Sequence, residues 1–319
     1  MKTIFNQVKH VKVFVSLQLL ICIVLCGCNN QNESKEADAI IKIDPTESKS
    51  QINISEFADS VKYIKLQTDK SCIIGRIAKL IIKKRYIYVC DVTQMIVFVF
   101  DKKGNFIAKL DKRGKGPEEY LGFAGLFVED EEGFIEVFTR QGEILKYSNI
   151  TFKFIEKTKL QRISSNYSIK VNDTYYFTCQ QNRNEINGKK TNADIIIAKN
   201  DIIKPIFDKV IITKNTTFVP SRNLPVLNGE KELFTSILYS NTFYKLQNFN
   251  ATPFVTIDFG EYGINDSIRM MSVQEQIDFL HNIPAEKALM PELTLNTSNI
   301  MALQYAYSSE KGKMTKHEF

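Results

Sequence analysis

The sequence contains no tryptophan and only three histidines among its 319 residues. A Ser–His–Asp or Cys–His catalytic centre needs a histidine that the fold holds in place. His10 lies near the N-terminus, His317 lies near the C-terminus, and His281 adjoins a short predicted helix. None of these positions favours a catalytic base. The sequence therefore argues against nucleophilic catalysis, and we predict no catalytic residue.

Motifs for metals and nucleotides are also missing. Cysteines and histidines lack the spacing of a zinc site, and no phosphate-binding glycine loop joins a strand to a helix. We therefore predict that the protein has no cofactor. The hydrophobic fraction of 44% and the charged fraction of 24% are those of an ordinary globular protein. Abundant Phe and Tyr and recurrent β-branched residues favour strands.

The N-terminus has the features of a bacterial signal peptide. Lys2, Lys9 and Lys12 form a basic region. Residues 13–25 follow as an apolar stretch that is too short to span a bilayer comfortably. The stretch ends in Leu-Cys-Gly-Cys at residues 25–28, which matches the lipobox of lipoproteins.

In a lipobox, the thiol of the final cysteine receives a diacylglycerol before the signal peptidase cuts in front of it. We predict that residues 1–27 are removed, that Cys28 is lipidated, and that the polar residues 28–39 form a tether. The alternative is an ordinary secretory signal or N-terminal anchor with cysteines there by chance. Asn29 after the lipidated cysteine is compatible with sorting to the outer membrane. We therefore expect a lipid-anchored protein of the cell envelope, at the outer rather than the inner membrane.

The charge of the mature chain excludes a nucleic-acid partner. Loss of the signal peptide removes three lysines and no acidic residue, so the formal net charge falls from +6 to +3. This excess is spread along the chain, whereas nucleic-acid binding requires a concentrated basic surface.

Three cysteines remain beyond Cys28, and their odd number leaves at least one without a partner in the chain. Cys90 and Cys179 end apolar runs, which favours buried thiols. A disulfide between Cys72 and Cys90 is the alternative in an oxidising compartment.

Short apolar runs alternate with turn signals from residue 77 onwards, as in antiparallel sheets. Gly104 supplies the positive φ that a hairpin requires between the third and fourth runs. Tyr86 corresponds to Phe134 in the next group of four runs, an offset of roughly 47 residues, and further groups begin at Tyr167 and Asn223. Such a period with four strands per unit is typical of propeller blades. We predict an all-β β-propeller domain of four-stranded antiparallel blades over residues 40–319.

The junction after the first blade resembles that of NHL repeats. Residues 105–120 combine an outer strand with a Gly-x-Gly-Pro-x-x-[Phe/Tyr] loop that enters the next blade. The whole chain resembles the six-bladed β-propeller lipoproteins common in Bacteroidota, through its lipobox, its leader at residues 60–77 and residues 257–260 before a helical insertion. The resemblance implies six blades. It implies no established catalytic set.

The C-terminal part departs from that family pattern. A short amphipathic helix is predicted near residues 272–282, a strand over residues 299–307, and a turn or strand from Gly312. Residues 52–66 add at most two strands to a closing blade. We therefore count four blades and a fragment, and predict a C-terminally truncated copy with an open ring.

The loop over residues 113–120 is the most distinctive segment. It can place Arg113, Lys115, Glu118 and Tyr120 on one propeller face, where they offer charge and an aromatic surface to a ligand. The structural alternative is a connector between blades, in which the glycines allow unusual backbone angles and the proline fixes the next strand.

Asp91, Asp101 and Asp130 follow strands and support a different hypothesis. Some six-bladed propellers, of the gluconolactonase and paraoxonase type, hold a divalent metal in the central channel with Asp, Asn and Glu, and hard cations accept such oxygens. An Asp after a strand also commonly bonds its own turn.

Three functions stay open from the sequence. The first is a membrane-tethered binding or scaffolding module for a protein or carbohydrate partner, since loops on a rigid scaffold commonly carry function. The second is a metal-dependent hydrolase or lactonase with a divalent cation in the channel. The third is a non-functional truncated copy.

Overall fold

The computed structural model describes residues 37, 39–47, 53–56, 58–139, 141–161, 163–179, 184–208, 225–228 and 232–318. The signal peptide and most of the tether lie outside these residues, and so does Cys28. The strands of the first half are β1 (Ala39–Lys42), β2 (Ile77–Ile82), β3 (Tyr86–Asp91), β4 (Ile96–Asp101), β5 (Phe106–Leu110), β6 (Gly125–Glu129), β7 (Phe134–Phe138), β8 (Glu143–Ser148) and β9 (Phe154–Lys159).

The second half is also built mainly of strands. These are β10 (Tyr167–Val171), β11 (Thr174–Thr178), β12 (Asn184–Ile186), β13 (Lys189–Thr191), β14 (Ile195–Lys199), β15 (Ile202–Ile206), β16 (Val226–Leu227), β17 (Leu233–Ser236), β18 (Thr242–Gln247), β19 (Asn250–Asp258), β20 (Lys287–Asn296), β21 (Met301–Glu310) and β22 (Lys313–Glu318). Helix α1 covers Val273–His281, and 3-10 turns cover Ile54–Glu56, Gly260–Tyr262 and Asp266–Met270.

The strands form five successive sheets, which confirms an all-β propeller. Sheets 1, 2 and 3 are four-stranded and antiparallel, in the orders β2-β3-β4-β5, β6-β7-β8-β9 and β10-β11-β14-β15. Sheet 4 has the order β1-β19-β18-β17-β16, and sheet 5 has the order β20-β21-β22. Strands β12 and β13 form a separate hairpin.

The described residues form five blades, and the prediction of six is wrong. The number six came from the family resemblance, whereas the described strands supply four full sheets and a three-stranded one. The fifth sheet is larger than the predicted fragment because β20 adds a ten-residue strand. The relationship to NHL repeats stays a prediction.

The core lies between the faces of successive sheets. Val97 and Val99 of β4 pack with Ile135 and Val137 of β7, between sheets 1 and 2. Similar apolar layers join sheet 3 to sheet 4 and sheet 4 to sheet 5. Alternation along the strand explains the pattern, because successive side chains point to opposite faces. Phe98 of β4 accordingly lies in a different cluster from its two neighbours.

The opposite face of sheet 1 is covered by the leader rather than by another sheet. Ile64, Leu66 and Ile74 pack against a cluster that includes Phe98 and Phe100. Gly104 has φ +90°, and the backbone N of Gln67 bonds its carbonyl over 2.8 Å. The predicted turn at Gly104 therefore also anchors the leader.

The N-terminal strand joins an unexpected partner. Strand β1 pairs in parallel with β19, at the outer edge of sheet 4. Residues 53–56 contain a 3-10 turn and residues 58–66 contain no strand. Within the described part of the chain, no strand bridges the first and fifth sheets.

The described cysteines, Cys72, Cys90 and Cys179, are free and buried. The alternative of a Cys72–Cys90 disulfide is therefore wrong. Cys72 lies in the cluster under the leader, whereas Cys90 lies in the cluster between sheets 1 and 2, so the two thiols are on opposite faces of sheet 1. Burial raises the pKa of Cys90 to about 12, which keeps this thiol protonated.

Helix α1 forms where the sequence predicts it. The Ser272 hydroxyl accepts a hydrogen bond from the Glu275 backbone N, and the Glu275 carboxylate accepts one from the Ser272 backbone N, which makes a capping box. Val273 and Leu280 are buried. His281 is the last residue of the helix. The described helices include none that is long and apolar enough to cross a bilayer.

Candidate functional site

The loop over residues 113–120 joins β5 to sheet 2 and is closed by its own backbone. The Gly114 N donates to the Tyr120 carbonyl over 3.1 Å, and the Tyr120 N donates to the Lys112 carbonyl over 3.0 Å. The Glu119 N donates to the Gly116 carbonyl, also over 3.1 Å. These bonds hold the ends of the loop together and fix its backbone. Residues 113–120 are called the platform below.

Glu119 lies inside this platform rather than on it. Its carboxylate accepts a hydrogen bond from the Gly116 N over 2.8 Å. A Cβ at Gly114 would lie 1.8 Å from the Glu119 carboxylate, so a side chain there would displace it. The absence of side chains at Gly114 and Gly116 thus lets the Glu119 carboxylate reach the backbone of the loop.

Tyr120 does not offer the predicted aromatic surface. Its side chain is 1% exposed, and its hydroxyl donates to the Met95 carbonyl over 2.9 Å. Its ring centroid lies 4.9 Å from that of Phe123. Tyr120 therefore anchors the loop to the core, because a large ring at the start of a sheet gains more from burial than from exposure. Arg113, Lys115 and Glu118 are exposed.

A groove of about 410 Å³ adjoins the platform. It runs between the loop and the ends of β8 and β9, and it is lined by Gly114, Lys115, Gly116, Glu119, Leu121, Gln141, Glu143, Lys157 and Lys159. Lys157 pairs with Glu143 over 3.2 Å. Leu121 is 60% exposed. The groove thus combines an apolar side chain with the positive charges of Lys115 and Lys159.

The three aspartates of the metal hypothesis are engaged elsewhere. Asp91 accepts from the backbone N of Gly75, Thr93 and Gln94. Asp101 accepts from the backbone N of its own turn.

The third aspartate, Asp130, is buried between sheets 1 and 2. It accepts from the Arg85 N over 3.0 Å and from the Tyr88 hydroxyl over 3.0 Å. Each of the three carboxylates therefore closes a turn or joins sheets. Among the described residues, no three His, Cys, Asp or Glu side chains are grouped to hold a metal.

The turn at Asp91 makes stability depend on pH. Burial acts to raise the Asp91 pKa, but hydrogen bonds from Gln94, Gly75 and Thr93 outweigh it and lower the pKa below its usual value. The stability that Asp91 contributes is fully present above the pKa of about 3.9 that the residue has in the unfolded chain. It is lost as pH falls through the lower pKa that Asp91 has in the folded chain. We expect Asp91→Asn to lower the free energy of unfolding by about 1–2 kcal/mol at neutral pH. On acidification, the variant should lose less stability than the native chain does. Thermal unfolding at a series of pH values measures both effects.

Asp59→Asn is the matched control, because Asp59 is exposed and no hydrogen bond to its carboxylate is found among the described residues. It should unfold like the native chain at every pH. An equal acid sensitivity of Asp91→Asn and the native chain would contradict the assignment.

Three lysines form a second candidate site that the sequence did not indicate. Lys79 of β2, Lys83 just after it, and Lys170 of β10 are here called the inner lysine cluster, because they lie on or next to the first strands of their sheets. The first strands of sheets 2 and 3 meet where the Ser168 N donates to the Ala124 carbonyl over 2.8 Å.

Aromatic rings separate these amines. Lys79 Nζ donates to the Leu126 carbonyl over 2.9 Å and lies 5.4 Å from the centre of the Tyr167 ring. Lys83 Nζ lies 5.7 Å from the Phe127 ring, and Lys170 Nζ lies 5.0 Å from the same ring. Such distances are those of cation–π contacts. The cluster thus draws on the first strands of sheets 1, 2 and 3.

Among the described residues, Lys170 is the one amine of the cluster that has a carboxylate partner. Lys170 Nζ donates to both Glu136 oxygens, over 2.9 and 3.0 Å. Among the described residues, Lys79 and Lys83 make no ion pair. A signal was present in the sequence, since Lys79 and Lys170 each interrupt an apolar strand, but their convergence depends on the stacking of blades.

Comparisons with known proteins agree with this architecture. Residues 39–317 match the family model described as "Domain of unknown function (DUF4934)". A search of curated proteins finds no match. The structure is similar to a Bacteroides fragilis protein described as exported, with 17% identity and a TM-score of 0.65, over 88% of this chain and 80% of that one. It is also similar to a duf4221 family member from Bacteroides vulgatus, with 8% identity and a TM-score of 0.51, over 77% and 75% of the two chains. Such similarity shows the fold.

Proposed function

We propose that this chain, which belongs to the DUF4934 family, is a lipid-anchored binding module of the cell envelope and not an enzyme. Its partner is a protein or a carbohydrate that docks on the 113–120 platform and the adjoining groove. The observation that carries the proposal is the rigid loop whose Arg113, Lys115 and Glu118 remain exposed beside a 410 Å³ groove. The similarity to a protein described as exported supports the location.

The platform and the adjoining groove combine three properties of a binding surface: a fixed backbone, positive charge and exposed apolar area. Its backbone is fixed by internal hydrogen bonds, so little conformational entropy is lost when a partner docks. Lys115 and Lys159 supply charge that steers a partner and sets its register. The exposed Leu121 adds apolar area that a partner can bury.

A metal-dependent hydrolase is the weaker candidate. Its carboxylates would have to converge on one cation, whereas Asp91, Asp101 and Asp130 each accept hydrogen bonds from backbone groups of the chain. Their lone pairs are used by turns and by the interface between sheets 1 and 2. Freeing them would disrupt these structures.

Arrays of glycans and of peptides from envelope proteins test the proposal. We expect the full chain, held in detergent micelles, to retain a defined set of ligands. Arg113→Glu/Lys115→Glu should weaken binding at least about tenfold, which corresponds to about 1.4 kcal/mol. Lys102→Glu is the control, since Lys102 is an exposed residue in the β4–β5 hairpin, outside the groove. Equal retention by the native chain and the double variant would refute a role for the platform.

Anchoring through Cys28 is the other part of the proposal. We expect Cys28→Ser to abolish lipidation, because a hydroxyl cannot replace the thiol that accepts the diacylglycerol. Metabolic labelling with a tagged fatty acid, followed by membrane fractionation, measures the loss. Cys26→Ser is the control and should label normally. Membrane retention of Cys28→Ser at the mass of the mature chain would show that another anchor operates.

A further inference from the structure

Among the described residues, the inner lysine cluster has more positive charge than its carboxylate contacts neutralise. Its three amines make one such contact there, that of Lys170 with both oxygens of Glu136. Lys79 and Lys83 are half-buried. An amine that loses part of its water needs compensating acceptors or negative charge. Among the described residues, Lys79 contacts one carbonyl and one ring, and Lys83 contacts one ring.

Lys79 and Lys83 contact neighbouring residues of β6. They are four residues apart along an extended segment, so their side chains leave the same face of the sheet. Their contacts fall on neighbouring residues of β6, since Lys79 bonds the Leu126 carbonyl and Lys83 lies over the Phe127 ring. Phe127 and Tyr167 are themselves half-buried rather than fully covered. The two amines are thus set beside partly accessible rings.

We infer that Lys79 and Lys83 form a binding site for an organic polycarboxylate. Two amines call for at least two negative charges, and each ammonium has three donors of which Lys79 uses one within the chain. The rings of Phe127 and Tyr167 favour a ligand with a carbon framework over a bare hydrated ion. Small tricarboxylic acids and oligosaccharides of uronic acids share this chemistry. The site goes beyond the proposed function, because it does not share residues with the 113–120 platform.

Lys170 has a different role in the same cluster. Its charge is already balanced by Glu136, and only 12% of its side chain is exposed. It contacts Phe127, Phe134 and Tyr175, which ties sheet 2 to sheet 3. Lys170 therefore supports the rings and does not bind the ligand directly.

Calorimetric titration of the full chain in detergent micelles tests the inference. The probes are citrate and a trimer of galacturonic acid, which distinguish a small acid from an acidic glycan. Their methyl esters are neutral controls of the same framework. We expect at least one acid to bind with a Kd below about 1 mM, its ester to bind at least about tenfold more weakly, and binding to weaken as salt is raised.

The variants separate a binding role from a structural one. Lys79→Met and Lys83→Met keep an apolar stem and remove the charge, and each should weaken binding of the acid about tenfold or more. Lys84→Met is the matched control, because Lys84 is adjacent but exposed, and it should bind normally. Thermal unfolding of all three variants should stay close to that of the native chain.

Three outcomes would overturn the inference. One is that neither acid binds with a Kd below about 1 mM. Another is that acid and ester bind equally. The third is that Lys84→Met loses as much affinity as Lys79→Met. The Arg113→Glu/Lys115→Glu variant should still bind the acid in the calorimetric titration, whatever its effect on the arrays. Failure of the platform proposal and failure of the lysine-site proposal can therefore be distinguished.

Discussion

Gly125→Ala should lower the free energy of unfolding by about 3 kcal/mol. A Cβ at Gly125 would lie 2.2 Å from the Ser168 carbonyl oxygen and 3.1 Å from the Phe138 ring. The nearest obstacle is backbone, so it cannot move aside as a flexible side chain does. The contact joins the first strands of sheets 2 and 3, and relief of the clash requires the two sheets to separate.

Separation of the sheets would also break a hydrogen bond. The Ser168 N donates to the Ala124 carbonyl over 2.8 Å, and Ser168 is fully buried. A buried donor or acceptor left without a partner costs about 1–3 kcal/mol. The clash and the lost bond therefore act in the same direction.

Urea denaturation followed by fluorescence of the tyrosines measures this effect. Gly122→Ala is the matched control, because the nearest atom to its Cβ would be Met95 Cε at 3.9 Å, an ordinary contact. The control should be neutral or slightly stabilising, since alanine restricts the unfolded chain. Equal stability of the two variants would mean that the sheets are not in close contact at Gly125.

Lys170→Met should cost about 3–5 kcal/mol, because it leaves the Glu136 carboxylate buried without its cation. Only 6% of the Glu136 side chain is exposed. Burial acts to lower the Lys170 pKa, but the hydrogen bond and charge of Glu136 more than offset it, so the pKa is raised. The stability from the pair is therefore complete below the usual lysine pKa of about 10.4 and is lost only as pH rises through the higher folded pKa.

Two comparisons make the Lys170 prediction specific. Lys170→Met/Glu136→Leu should recover most of the lost stability, because an apolar pair needs no compensating charge. Lys313→Met removes an exposed partner of Glu310 and should cost at most about 1 kcal/mol. Chemical denaturation at neutral pH measures all three. If Lys170→Met were as stable as the native chain, Lys170 and Glu136 could not form a buried ion pair that contributes to stability.

Local patterns predicted the first four sheets well, and the reason is the regular alternation along their strands. The β4–β5 hairpin followed from Gly104, which has the positive φ that the turn requires. Strand β20 was missed because its pattern is broken. Met290 has φ +54°, Pro291 follows it, and the pairing with β21 shifts between Leu289 and Glu292. A bulge of this kind obscures the alternation of side chains.

Other features depend on contacts that no local pattern contains. Strand β1 finds a parallel partner in β19, more than 200 residues away in the sequence. The charged β12–β13 hairpin carries few apolar residues and was not expected. At the candidate site, the glycine spacing drew attention to the 113–120 loop, which joins β5 to sheet 2. It could not show that Tyr120 turns into the core, because that depends on contacts with Phe123 and with Met95 of sheet 1.

The inner lysine cluster illustrates the same limit. Lys79 and Lys83 are visible in the sequence as charges at an apolar strand, but Tyr167 and Phe127 reach them only when three blades stack. The sequence alone does not show which lysines will contact the rings of neighbouring sheets. Chemistry that depends on contacts between sheets is therefore harder to predict than chemistry on a loop.

Site-specific crosslinking in cells tests the binding function most directly. A photoreactive amino acid is placed at Lys115 in the lipidated full chain, and at Lys102 in a parallel strain as the control. We predict a discrete adduct at Lys115, absent at Lys102 and lost when Arg113 is changed to Glu. The contrary result is no adduct at Lys115, or the same products from both positions, which would show that the platform binds no partner.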